Sequence, residues 1–88
     1  MKSLVTPGFR EALRRLPKPV QQQARDAYRL FAADPGHPGL RLKKVRDDPT
    51  IISVRISRGY RALGVRKTGA VIWFWIGDHA DYERQLSR

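Results

Sequence analysis

The sequence has no cysteine. Disulfides and thiolate metal sites are therefore excluded, nothing points to secretion, and a reducing cytoplasm is the compartment that fits. Long apolar runs are also missing: no segment approaches the roughly 20 apolar residues that cross a bilayer, and the N-terminal stretch MKSLVTPGFREALRRL lacks the apolar region of a signal peptide. The expectation is a soluble cytoplasmic protein without a membrane partner. There is no internal repeat, low-complexity tract or linker either. A chain of 88 residues buries only about 60 to 65% of its unfolded surface and cannot divide that core in two, so residues 1–88 are read as one domain.

Acidic residues are scarce. Eight Asp and Glu against 18 Lys and Arg leave a formal net charge of +10. A field of that strength concentrates polyanions and speeds encounter with them, which makes RNA, DNA or a strongly acidic protein the expected partner. The excess is carried largely by arginine, whose planar fork grips phosphate at two points. The plainer reading is a generally basic surface with no bound polyanion.

Along the chain, Thr6 followed by Pro7 reads as a helix N-cap with proline at the first helical position, and Phe9, Leu13 and Leu16 recur at helical spacing. A first helix over about 7–15 follows. Pro17 and Pro19 interrupt the pattern and restart it, after which Val20, Ala24, Ala27, Tyr28 and Phe31 share one stripe. The two helices pack back as a hairpin with a basic outer face that includes Arg14, Arg15, Arg25 and Arg29. The segment DPGHPG at 34–39 ends the helical part. The remainder reads as strands at 40–45, 51–57, 60–66 and 70–76, with turns at Asp47-Asp48-Pro49, Arg58-Gly59 and Lys67-Thr68-Gly69. The last strand is apolar on both faces and is placed inside the sheet. A short helix over about 80–86 closes the chain. The fold class is α+β: an N-terminal helical hairpin packed on a twisted, mainly antiparallel sheet of about four strands. Ala62 and Gly64 suit the helix side, which leaves Arg55 and Arg61 together on the other face.

The order of FREALRRLPKPVQQQARDAYRLFAADPGHPGL, SVRI, GYRAL and the terminal WIGDHADYERQL resembles the RelE/ParE superfamily of bacterial toxins from type II toxin–antitoxin systems. The likeness covers nearly the whole chain, with the family's N-terminal strand shortened to residues 2–5. It implies a RelE-like fold and, for some members, a metal-independent endoribonuclease that enters the ribosome and cuts translated mRNA. No cofactor or metal is implied. An acidic antitoxin, partly disordered until it binds, is the implied protein partner, in a toxin–antitoxin hetero-oligomer. Other members inhibit DNA gyrase and cleave nothing. A non-catalytic basic module that holds RNA or an acidic protein is a third class.

Cutting RNA without metal requires a base for the 2′-OH proton, cations for the charge on the pentacoordinate phosphorus, and an acid for the 5′ oxygen. The resemblance assigns Arg61 to the phosphate and Arg55 to a basic position on the preceding strand. Lys43 and Lys44 lie where relatives place charged groups and are candidate substrate contacts. His79 takes the proton-transfer role, since imidazole serves as acid or base near neutrality. Tyr82 is a candidate for base stacking or phosphate orientation, and Glu83, four residues after His79, for holding its tautomer. Each has a structural alternative: His79 as a surface or capping residue, Arg61 paired with Asp78 or Asp81, Tyr82 as core, and Trp73, Phe74 and Trp75 as core before any stacking platform. His37 is kept as a reserve catalytic residue. Ser53 lacks the charge some ribonuclease members carry at that position, and no second tyrosine follows Tyr82.

Overall fold

The computed structural model describes residues 2–45 and 47–86. Thr6 starts the first helix, α1 (Pro7–Arg14): its backbone is extended, and its Oγ1 accepts the Phe9 N–H at 3.1 Å. That satisfies one of the donors a helix start leaves unpaired. The second helix, α2 (Lys18–Ala33), begins after Pro17. Buried Gln21 joins the two, its Nε2 donating to the carbonyls of Leu16 at 2.9 Å and Arg14 at 3.2 Å. The carbonyls that α1 cannot pair at its C-terminus are thus bonded from α2, which locks the hairpin.

The sheet contains β1 (Lys2–Val5), β2 (Lys43–Val45), β3 (Asp48–Ser57), β4 (Tyr60–Lys67) and β5 (Ala70–Asp78), in the order β1-β5-β4-β3-β2. β1 runs parallel to β5, and the other pairs are antiparallel. α3 (His79–Leu86) follows β5 directly. Both hairpin helices lie on one face. There Phe9, Phe31, Val54, Ala62, Trp73 and Ile76 form the centre of the core, with Leu13, Leu16 and Ala24 packed against it.

The sheet has five strands, the four expected from the pattern and the shortened N-terminal strand at residues 2–5 that the resemblance implied. The short N-terminal segment is a true edge strand because its partners come from β5: the Lys2 N–H donates to the Gly69 carbonyl, the Thr6 N–H to the Trp73 carbonyl, and the Trp73 indole to Ser3 Oγ. Four residues carry too little pattern to reveal a partner some seventy positions away. The expected strand at 40–45 shrinks to Lys43–Val45, since Leu40 ends a 3₁₀ turn (Pro38–Leu40) and Arg41 takes φ 44°, which breaks the extended run. Asp48 and Pro49, read as turn residues, belong to the start of β3. Tyr28 leaves its stripe's buried set and is 55% exposed, whereas Phe31 is 3% exposed.

β5 is interior, between β1 and β4, as its apolar faces require. Its register against β4 shifts from Leu63↔Trp75 to Gly64↔Trp73, so Phe74 is the extra residue of a bulge. The bulge sends the two tryptophans to opposite faces. Trp73 turns to the helices and meets Phe31 edge-on, ring centroids 5.3 Å apart, while Trp75 turns the other way, 6.2 Å from Tyr82 of α3. Gly64 makes room: a Cβ there would lie 2.6 Å from both the Trp73 ring and the Val71 side chain.

Candidate functional site

Side chains alternate across a strand. Since Val54 and Ala62 face the helices, Ser53, Arg55 and Arg61 open on the opposite face, where β3 and β4 pair Arg55 with Arg61. Like charges directly opposite on neighbouring strands repel. Among the described residues, the ion pairs use Glu11, Asp26, Asp81 and Glu83, and none reaches Arg55 or Arg61.

Arg61 is 9% exposed. Its Nε donates to the Oγ of fully buried Ser53 at 2.7 Å and its Nη2 to the Arg41 carbonyl at 2.9 Å, and its guanidinium lies 5.4 Å from the centre of the Tyr82 ring. Burial pulls the Arg61 guanidinium below its ordinary value; Tyr82 opposes the shift, while Arg55 and Arg41 add to it. Arginine keeps its proton at physiological pH regardless. A buried cation without a counter-ion is expensive, so the arrangement favours any anion that can approach.

The alternative in which Arg61 pairs with Asp78 or Asp81 does not hold. Asp78 Oδ1 accepts the Asp81 N–H at 2.8 Å and so caps α3, and the Asp81 carboxylate pairs with Arg84. Tyr82 is 7% exposed. It is walled in by Arg61, Trp75 and His79, the last with ring centroids 6.2 Å away and planes 26° apart. Its ring therefore supports the site from below and offers little face to a nucleobase.

His79 opens α3 at the end of β5, where its N–H donates to the Gly59 carbonyl at 2.9 Å. Its side chain is exposed, and Nε2 lies 3.3 Å from Glu83 Oε1, the contact their spacing led us to expect. His79 and Arg61 both lie against the Tyr82 ring. Lys43 pairs in register with Ser53 and so belongs to the Arg61 face, whereas Lys44 pairs with Ile52 and belongs to the other. His37 lies apart, its Nδ1 accepting the Gly39 N–H at 2.9 Å.

Ser53 is legible in the sequence only as an uncharged residue at a position where some ribonuclease relatives carry charge, and Arg41 carries no mark at all. A serine in an alternating strand carries no mark of being the acceptor for an arginine eight positions on, and Arg41 contributes a backbone atom, which side-chain identity cannot announce.

A helical hairpin on one face of a five-stranded mixed sheet with a closing helix is the RelE-like fold. The chain belongs to the ParE-like toxin family, whose domain matches residues 18–84. Its structure is similar to the toxin in a RelB-RelE antitoxin-toxin complex from Methanococcus jannaschii, with a TM-score of 0.73 at 13% identity over 93% of this chain and 96% of that one. It is also similar to a YoeB/ParE toxin from Agrobacterium tumefaciens (TM-score 0.72, 16% identity, 90% and 99% of the two chains). YafQ from E. coli gives 0.70 at 8% identity, over 92% and 96%. No curated protein matches the sequence.

Proposed function

We propose that the protein is the toxin of a type II toxin–antitoxin system and a metal-independent endoribonuclease that cleaves translated mRNA at the ribosome. The observation that carries this reading is Arg61: buried, held among the described residues by neutral acceptors and faced by Arg55. A structural arginine is normally neutralised by a carboxylate; this one keeps its charge for a phosphodiester. In the reaction, His79 takes the 2′-OH proton as that oxygen attacks phosphorus. The P–O5′ bond breaks and the departing 5′ oxygen takes a proton from solvent water, giving a 2′,3′-cyclic phosphate and a 5′-hydroxyl. Glu83, by accepting from Nε2–H, leaves Nδ1 as the basic atom. Arg61 and Arg55 stabilise the added charge on phosphorus, and Lys43 follows the backbone along the sheet edge.

The proposed protein partner is an acidic antitoxin. An apolar cleft of about 190 Å³ between the hairpin and the sheet, lined by Val5, Phe9, Leu13, Tyr28 and Phe31 with Arg25 on its rim, suits an amphipathic segment with acidic flanks. The ParE-like family match favours gyrase inhibition as the second reading, in which His79 has no role.

The test is induction in a bacterial host of wild type, His79→Ala and Arg61→Gln at matched soluble levels, with mRNA 5′ ends mapped. Growth arrest with in-frame cuts that both substitutions remove is the expected outcome. Arrest without cuts, undiminished in His79→Ala, would move the target to gyrase.

A further inference from the structure

Arg41 is the one non-glycine residue at positive φ among those described, with φ 44° and ψ 48°. Such a conformation persists only where its surroundings enforce it, and it tends to accompany function. Here the enforcing elements are visible. The His37 N–H donates to the Asp34 carbonyl at 3.0 Å, and His37 Nδ1 accepts the Gly39 N–H at 2.9 Å. The Leu40 and Arg41 N–H groups close the turn on the carbonyls of His37 and Pro38, both at 3.1 Å, and Leu40, 1% exposed, anchors it in the core. Gly39 lets the imidazole lie close: a Cβ there would sit 3.1 Å from Nδ1. What the strained residue accomplishes is to aim its carbonyl at Arg61 Nη2.

We infer that residues 37–41 form a positioning device for Arg61, with Arg41 acting through its backbone carbonyl and His37 through the cap that shapes the turn. The inference rests on the reading of Arg61 as the phosphate-holding cation. Ser53 Oγ and the Arg41 carbonyl grip the guanidinium at two nitrogens and fix its plane. Both acceptors are uncharged. A carboxylate would orient the group as well but would cancel the field that a phosphodiester needs, so a strained backbone carbonyl supplies direction without neutralisation. His37 is then a positioning residue, its Nδ1 engaged by the Gly39 N–H.

Arg41→Asn and Arg41→Val remove the same charge but differ in backbone tolerance, since asparagine accepts the left-handed region and a β-branched residue resists it. Two readouts apply: the Arg61 Nε–H resonance by NMR, and affinity for a 2′-O-methyl single-stranded RNA oligonucleotide that cannot be cleaved. Arg41→Asn should keep the wild-type Nε–H signal, and Arg41→Val should displace or broaden it and bind the oligonucleotide about tenfold more weakly than Arg41→Asn. His37→Asn, which can still cap, should resemble wild type, and His37→Ala should resemble Arg41→Val. This second pair sits on an exposed side chain and decides the matter if Arg41→Val does not fold. Equal behaviour within each pair would overturn the inference. Arg61→Gln separates the two levels: undiminished oligonucleotide binding would sink the phosphate reading, while the Nε–H contrast still judges the positioning.

Discussion

In the proposed reaction Arg61 and His79 have different parts, and variants at the two positions and their supports should separate accordingly. Ser53 is fully buried and bonded to Arg61 Nε. Ser53→Ala leaves that donor without its acceptor and should lower stability by about 1–3 kcal/mol in urea denaturation, with RNA affinity falling alongside. His79 is exposed, so His79→Ala should hold stability within about 0.5 kcal/mol of wild type while abolishing cleavage in the mapped-ends assay. If the two variants lose activity and stability in the same proportion, His79 is structural and the proton-transfer role is wrong. Arg61 and His79 could be proposed from the sequence because each has the side-chain chemistry the proposed reaction needs. The bond from Arg61 to Ser53 and the part of Arg41 could not, since a serine at a family position does not announce an arginine partner and Arg41 acts through its main chain.

The elements depend on a few local devices that pattern reading recognises and a few that it does not. Thr6→Ala should cost about 1 kcal/mol, measured as a shift in urea midpoint at constant slope, because it unpairs the Phe9 N–H at the start of α1. Gly64→Ala forces a Cβ against Trp73 and Val71 and should cost about 1–3 kcal/mol as overpacking. At the start of β3, Thr50 Oγ1 and then its N–H hold the Asp48 carboxyl below its ordinary value. Because the folded value is the depressed one, this contribution is present above the ordinary carboxylate value and is lost as pH falls through the folded value. The Tm difference between wild type and Asp48→Asn should therefore shrink in acid; a constant difference would rule the linkage out. The helix starts, the turns at 58–59 and 67–69 and the apolar interior strand follow from local pattern. The β5 bulge does not: it depends on how Gly64 and Trp73 pack across two strands, which no single-strand alternation contains.

At the scale of the molecule, a net charge of +10 governs encounter. Part of the basic face of the hairpin is already compensated, Arg14 and Arg15 by Glu11 and Arg29 by Asp26, so its effect on binding should be smaller than the charge count implies. Reversing Arg14, Arg15, Arg25 and Arg29 should weaken oligonucleotide association at all sequences and flatten its dependence on salt, whereas Arg61→Gln should reduce affinity with a salt slope shallower by about one phosphate contact. Titration over 50 to roughly 200 mM salt reads both. Equal slopes in wild type and the quadruple variant would remove the hairpin from RNA contact and leave it to the acidic protein partner.

Composition, charge and periodicity by themselves determined a basic α+β domain with a helical hairpin, a mainly antiparallel sheet and a closing helix, and they put Arg55 and Arg61 on the face away from the helices. Those properties are local or additive: a stripe, an alternation, a cap, a sum of charges. The tertiary structure alone decided that residues 2–5 pair with β5, that Trp73 and Trp75 part to opposite faces, that Tyr82 is walled in, and that Arg61 is held by Ser53 and the carbonyl of a strained Arg41. These depend on which distant backbone and side-chain atoms come within hydrogen-bond or van der Waals reach. That reach is set by the packing of all the elements together.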